Sequence, residues 1–368
     1  MSGAVFVADA TPEAIASRAA SLGTADGEVL VVFVAEGGGI DLDGIVSALA
    51  AREQSFLGGV FPALIWAGRQ RESGAILFTL PVRARPVLVP GLSRAQWDAA
   101  LQKVGGDGGL SSTVFVLVDG LTRNIDAFLL DVYGVLGHTA RYVGGGCGSL
   151  SLRQQPCLFT EAGVFDDAAV LALLDTEADV GVAHGWLPIG EPVLCTRARE
   201  THIEELNWQP AYPVYASMIE AHMGRPLNGT PFFEFSKAYP FGIYREQAEP
   251  VVRDPIVRER DDIVCVGNIP ENALLQLLHG DRCSLIEAAA RAASCSTDRA
   301  RLTLVFDCIS RSIFLGADFT EELSTIYEEA GASHESLVGA LSLGEIASPG
   351  GTVLSFLNKT IVVGAFQG

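Results

Sequence analysis

The chain has 368 residues, of which 49% are hydrophobic, and its formal net charge is −19. That length and apolar content describe a globular protein with more than one core, and the charge excludes nucleic acid and anionic membrane surfaces, since both require a basic face. No apolar run approaches the roughly 18 residues that span a bilayer, so no membrane insertion is expected.

Residues 1–27 carry a lead-in helix at 12–22, with no basic start and no long apolar segment, unlike a signal peptide. Residues 31–34 then read as a buried strand, followed by Glu36 and three glycines. Leu42, Ile45, Val46 and Leu49 recur at helical spacing, and Phe56-Leu57-Gly58-Gly59-Val60-Phe61 is a strand that carries glycines. Residues 74–80 return as an antiparallel strand. A connection with three prolines, a helix at 93–104 and a glycine-rich link at 105–112 follow.

The same strand, helix, glycine-strand pattern comes again. Residues 114–118 form a strand that ends at Asp119, Ile125, Phe128, Leu129, Val132 and Leu136 share a helix face, and Tyr142-Val143-Gly144-Gly145 closes the copy. Residues 159–165 and 168–174 predict a hairpin across Asp166-Asp167, and strands at 180–185 and 193–198 lead to a helix at 211–222 that stops near Gly224. Polar residues at 225–230 mark a boundary, which divides the chain into the lead-in 1–27 and domains 28–228 and 229–368.

Short paired strands at 256–258 and 263–266 and an alanine-rich helix at 285–293 precede the third copy. Its strand, 302–306, ends in the polar cluster Asp307, Cys308, Ser310 and Arg311. Phe319, Leu323, Ile326, Tyr327 and Ala330 share a helix face, with Asp318 and Glu321 spaced as a capping box. The apolar run 337–343 carries Gly339 and leads through Gly344 to Glu345. Residues 352–357 and 360–366 predict a terminal hairpin across Asn358-Lys359. The fold class is therefore α/β (mixed α+β): two domains with mixed sheets, built from a degenerate strand-helix-strand repeat.

Several residues qualify as a site. Bare backbone N–H groups at Gly58, Gly59, Gly144, Gly145 and Gly344 could hold an anion, although glycines in strands also serve close packing. Asp119, Cys308 and Arg311 stand just past strand ends, where open α/β sheets bind ligands, and an arginine there could grip a carboxylate. The competing role for Arg311 is a structural ion pair with Asp307 or Glu345. Seven cysteines stand singly at 147, 157, 195, 265, 283, 295 and 308. This pattern offers no zinc site or redox dithiol and points to the reducing cytoplasm. No Ser-His-Asp order or close carboxylate pair suggests an enzyme.

The joint order of these landmarks resembles the FIST sensory domain family, in its N-terminal and C-terminal parts. The resemblance rests on Phe56-Leu57-Gly58-Gly59, Tyr142-Val143-Gly144-Gly145, Pro188-Ile189-Gly190, Thr196-Arg197, Pro210-Ala211, Tyr239-Pro240, Val252-Arg253, Phe306 with Cys308 and Arg311, Gly344-Glu345-Ile346 and Asn358, over roughly residues 28–366. The first glycine strand departs from the family pattern: Val60-Phe61-Pro62-Ala63 is bulkier and less polar. The resemblance implies a cytoplasmic signal-transduction module, not an enzyme. It would bind an amino acid or small anionic metabolite and signal to a kinase or other effector protein. Gly58, Gly59, Asp119, Gly144, Gly145, Cys308, Arg311, Gly344, Glu345 and Asn358 would form the site. No metal or cofactor is required, but some family members bind haem and report nitric oxide, which would make His184 or His202 a haem ligand. A Cys308-dependent enzyme is the other alternative. His138, His222 and His334 read as cations at helix ends.

Overall fold

The computed structural model describes residues 3–106, 113–246, 249–296, 300–333 and 335–367. Most of the 105–112 link, and His334, lie outside them.

Three six-stranded sheets repeat one plan. Each is built on a parallel pair, a leading strand beside a glycine strand. The pairs are Glu28–Ala35 with Phe56–Phe61, Thr113–Asp119 with Arg141–Cys147, and Ala300–Cys308 with Leu337–Ser342. An antiparallel return strand flanks each leading strand: Ala75–Pro81, Ala168–Leu174 and Ile361–Gln367. The registers correspond, with Val32 opposite Gly58, Val116 opposite Gly144 and Val305 opposite Gly339. At each of these three glycines a Cβ would collide with the carbonyl oxygen of the facing valine. The shared glycine is thus a close-approach residue.

Helices cover the outer face of each sheet. Ile15, Ala19, Ile45 and Leu49 pack on the first, Phe128, Leu129 and Val132 on the second, and Leu285, Ala289, Leu323 and Ile326 on the third. The inner faces meet in a common core. Within it the rings of Phe33, Phe115 and Phe306 lie 5.7–6.4 Å apart, so the centre is filled with side chains.

After each glycine strand the chain leaves its own sheet and adds a hairpin to another. Ala63–Trp66 pairs with the third glycine strand, Leu158–Thr160 with the first, and Glu345–Ala347 with the second. The exchange links the three sheets in a cycle in which every glycine strand is hydrogen-bonded along both edges, so no glycine strand is left at a sheet edge. It also interleaves residues from either side of the boundary expected near 228.

Two expected hairpins are therefore corrected. Residues 168–174 pair with Thr113–Asp119 and Val87–Pro90, while Leu158–Thr160 folds back on Gly163–Phe165. Ser355–Leu357 pairs with Glu345–Ala347, while Ile361–Gln367 returns to the third sheet. Asp318 makes no capping bond at the start of Phe319–Glu329; its carboxylate lies 3.6 Å from Arg282 instead.

Between Ala178–Ala183 and the helix Arg282–Ala293 the chain inserts a small closed barrel. The long strand Leu187–Arg199 pairs at one end with Leu274–His279 and at the other with His202–Leu206. Phe241–Ile243, Val251–Glu259 and Asp262–Val266 complete the circuit. Helix Ala211–Met223 packs Tyr215 and Ile219 into the barrel core. Among the described residues no helix is long and apolar enough to cross a membrane.

Candidate functional site

The leading strands of the second and third sheets end at matched positions, Asp119 and Cys308, each three residues past the valine that faces the conserved-register glycine. The segments that follow meet over a pocket of about 360 Å³. Gly120 and Leu121 come from the second sheet, and Cys308, Ile309, Ser310 and Ile313 from the third. Leu343 and Gly344 enter from the turn before the exchanged hairpin, and Asn358 from the turn after it. The barrel supplies the far wall with Asp254, Ile256, Val257 and Val266, joined by Phe233 from the short helix Phe232–Ser236. Leu150 and Leu152, just beyond the second glycine strand, complete the mouth.

The mouth is apolar. Leu150, Leu152, Phe233, Val257 and Ile313 are each 39–52% exposed. Exposed hydrophobic side chains scattered singly are ordinary, but five on one rim mark a binding surface. Polar groups lie deeper. The Asp254 carboxylate accepts the Ser310 hydroxyl at 2.6 Å, and its other oxygen lies 3.2 Å from the Lys359 ammonium. Asn358 is almost fully buried, yet its side chain makes no hydrogen bond among the described residues, and its Oδ1 is unpartnered.

Glu345 is fully buried behind this floor. It accepts from the Ser342 hydroxyl at 2.8 Å and from the Thr360 backbone N–H at 3.3 Å. Burial pushes its carboxyl well above the usual range, against those two bonds and a contact from Cys308 that pull it down. The Cys308 thiol is itself pushed up, first by burial and then by Glu345. A buried thiol pushed up in this way is the opposite of an activated nucleophile, whose pKa is lowered.

Several expected site residues are placed elsewhere. The Arg311 guanidinium is fully enclosed. It makes two bonds to Glu322, at 2.6 and 3.1 Å, and donates to the carbonyls of His184 and Leu285. Asp307 lies 3.2 Å from its Nε without a hydrogen bond to it. Burial, then the neighbouring Glu322, push the Asp307 carboxyl well above its usual range, against the pull of Arg311. The expected ligand clamp is thus an internal ion pair, with no guanidinium edge left for a ligand. Gly58, Gly59, Gly144 and Gly145 sit inside paired strands, where a Cβ would strike Phe159, Cys147, the Val116 carbonyl and Phe306 respectively. They serve packing rather than a donor nest. Asp119 fixes the loop beside the pocket, accepting from the backbone N–H groups of Leu121 and Asp167 and from the Gln154 amide.

His184 and His202, the two expected haem ligands, lie away from this pocket. Among the described residues the pocket lining contains no histidine. His184 is buried, and its Nδ1 accepts from the Trp186 N–H at 3.0 Å. Its Nε2 lies 3.5 Å from Glu249, but burial, then Arg311 and Arg291, lower its pKa to about 4 and keep the ring neutral. His202 sits on a barrel strand, 3.7 Å from Glu259. No cluster of metal-ligating side chains occurs among the described residues.

Sequence reasoning did not single out Asp254, Phe233, Leu150, Leu152 or Ile313. Signals were present. Asp254 is an acid that follows Val251-Val252-Arg253, and Leu150 and Leu152 are apolar residues in a serine-rich loop.

The fold and pocket define a three-unit α/β body with an inserted barrel and a cavity of small-molecule size between them. A FIST N domain model matches residues 14–209 and a FIST C domain model matches residues 211–348. The chain belongs to the FIST family, whose domains are sensory domains of signal transduction proteins. No curated protein matches it.

Proposed function

We propose that this chain senses a small molecule in the pocket at the ends of the second and third leading strands and signals its occupancy to a partner protein. The observation that carries this is the origin of the walls: the three-sheet body supplies one side and the barrel the other. A ligand held between them couples their positions, which gives an effector, a signalling kinase or another protein, two states to distinguish. A reducing, cytoplasmic setting is consistent with seven unpaired cysteines. An anion is the disfavoured occupant, because Arg311 is occupied and no cationic side chain among the described residues lines the cavity.

A thermal-shift screen of neutral, cationic and anionic metabolites tests this. The wild-type chain and Leu152→Glu, altered at the exposed rim, are compared. A ligand at about 100 times its Kd adds about 2.7 kcal/mol of stability. At least one compound is expected to raise the Tm of the wild type and not that of the variant. No stabilising compound, or equal shifts in both proteins, would sink the proposal.

A further inference from the structure

We infer that the occupant of this pocket is a neutral molecule with an apolar body and an amide-type edge, such as a carboxamide or lactam, which pairs with the side chain of Asn358. This rests on the pocket being the sensory site. The lining itself points to the chemistry. Asn358 is only 1% exposed and lines the cavity, yet neither end of its carboxamide is bonded to protein among the described residues. A buried amide without partners is costly, and native proteins rarely leave one so. Whichever way the group is turned, its edge presents one donor and one acceptor. The complementary edge is another amide, which offers an acceptor and a donor side by side.

The other polar groups narrow the class by charge. Among the described residues the one carboxylate lining the cavity, Asp254, already has the Ser310 hydroxyl and the Lys359 ammonium as neighbours. An anionic ligand would face Asp254 with no lining cation to offset it. A cationic ligand would compete with Lys359, which is fully buried, lies beside Asp254 and donates to the Lys237 carbonyl at 2.9 Å. A neutral donor–acceptor edge avoids both conflicts. The remaining walls, including Leu121, Ile256, Ile309 and Leu343, have no polar side chain to offer, so the body of the ligand must be apolar.

Three probes of matched shape test this by calorimetry: 4-phenylbutanamide, 4-phenylbutanoate and 4-phenylbutylammonium. The wild type should bind the amide about tenfold or more tightly than either charged probe, because each charged group leaves a buried partner unmatched. Asn358→Asp, which replaces the amide edge by acceptors alone, should lose that preference and move it toward the ammonium. Asn358→Leu should reduce amide binding by a similar factor while leaving thermal stability close to wild type. Tightest binding of the butanoate, or amide binding that is unchanged in both variants, overturns the inference while leaving the pocket as the sensory site. Binding of none of the three also overturns it. The sensory proposal itself fails on the separate metabolite screen, which presupposes no amide.

Discussion

Three hairpins cross between the sheets of this protein, and at one matched position they differ. Leu64 faces Ala340, Leu158 faces Gly59, and Glu345 faces Gly145. All three side chains are fully buried. Two hairpins fill the position with leucine, as the transfer energy of an apolar core favours. The third places a carboxyl there and supports it with Ser342 and the Thr360 N–H. The leading strands differ in the same sense. Val34 and Val118 occupy the position that is Asp307 in the third sheet, and Ala35 matches Asp119 and Cys308. The threefold plan is kept where it serves stability. It is broken by polar residues at the ends of the second and third leading strands, beside the pocket.

The largest effect should come from removing the cation that one break requires. Arg311→Met leaves Glu322 and Asp307 buried without it and is expected to cost about 3–5 kcal/mol in urea unfolding. A loss below about 1 kcal/mol would mean that the ion pair is dispensable. A smaller and pH-dependent effect belongs to Glu345. Its native carboxyl is raised above the unfolded value of about 4.3, so the native state holds the proton more tightly than the unfolded chain. That contribution is fully present below the unfolded pKa and is lost as pH rises toward the native one. Glu345→Gln, a neutral isostere, should remove this alkaline loss. An unchanged pH profile of unfolding would place the proton elsewhere. The smallest effect should follow restoration of the threefold residue in Asp307→Val. The Asp307 side chain makes no hydrogen bond to Arg311, and Arg311 keeps Glu322, so the change should stay within about 1 kcal/mol. A loss as large as that of Arg311→Met would show that Asp307, not Glu322, is the partner that matters.

The repeat itself was legible in the sequence because it is local. Strand, amphipathic helix and glycine strand lie within a few tens of residues, and Gly58, Gly144 and Gly339 mark corresponding places. The hairpin exchange was not legible. Residues 63–71, 158–165 and 345–357 are short apolar segments that suit any open strand edge, and their true partners lie far away in sequence. The same limit applied to Arg311. Its position past a strand end suggested a ligand clamp, but its partner Glu322 is presented by another helix. One cue was available: Glu322 falls on the buried face with Phe319, Leu323 and Ile326, where an acid needs a cation. Asn358 entered through its place in the family pattern, and only the fold shows that its amide is enclosed and unpaired.

Hydrogen–deuterium exchange of the intact chain, with and without the strongest stabiliser from the metabolite screen, tests the pocket most directly. Slower exchange is expected in the segments around Gly120, Leu150, Ser310 and Gly344 together with the barrel strand Val251–Glu259. Protection confined to other segments, or to one wall alone, would contradict a ligand held between the three-sheet body and the barrel.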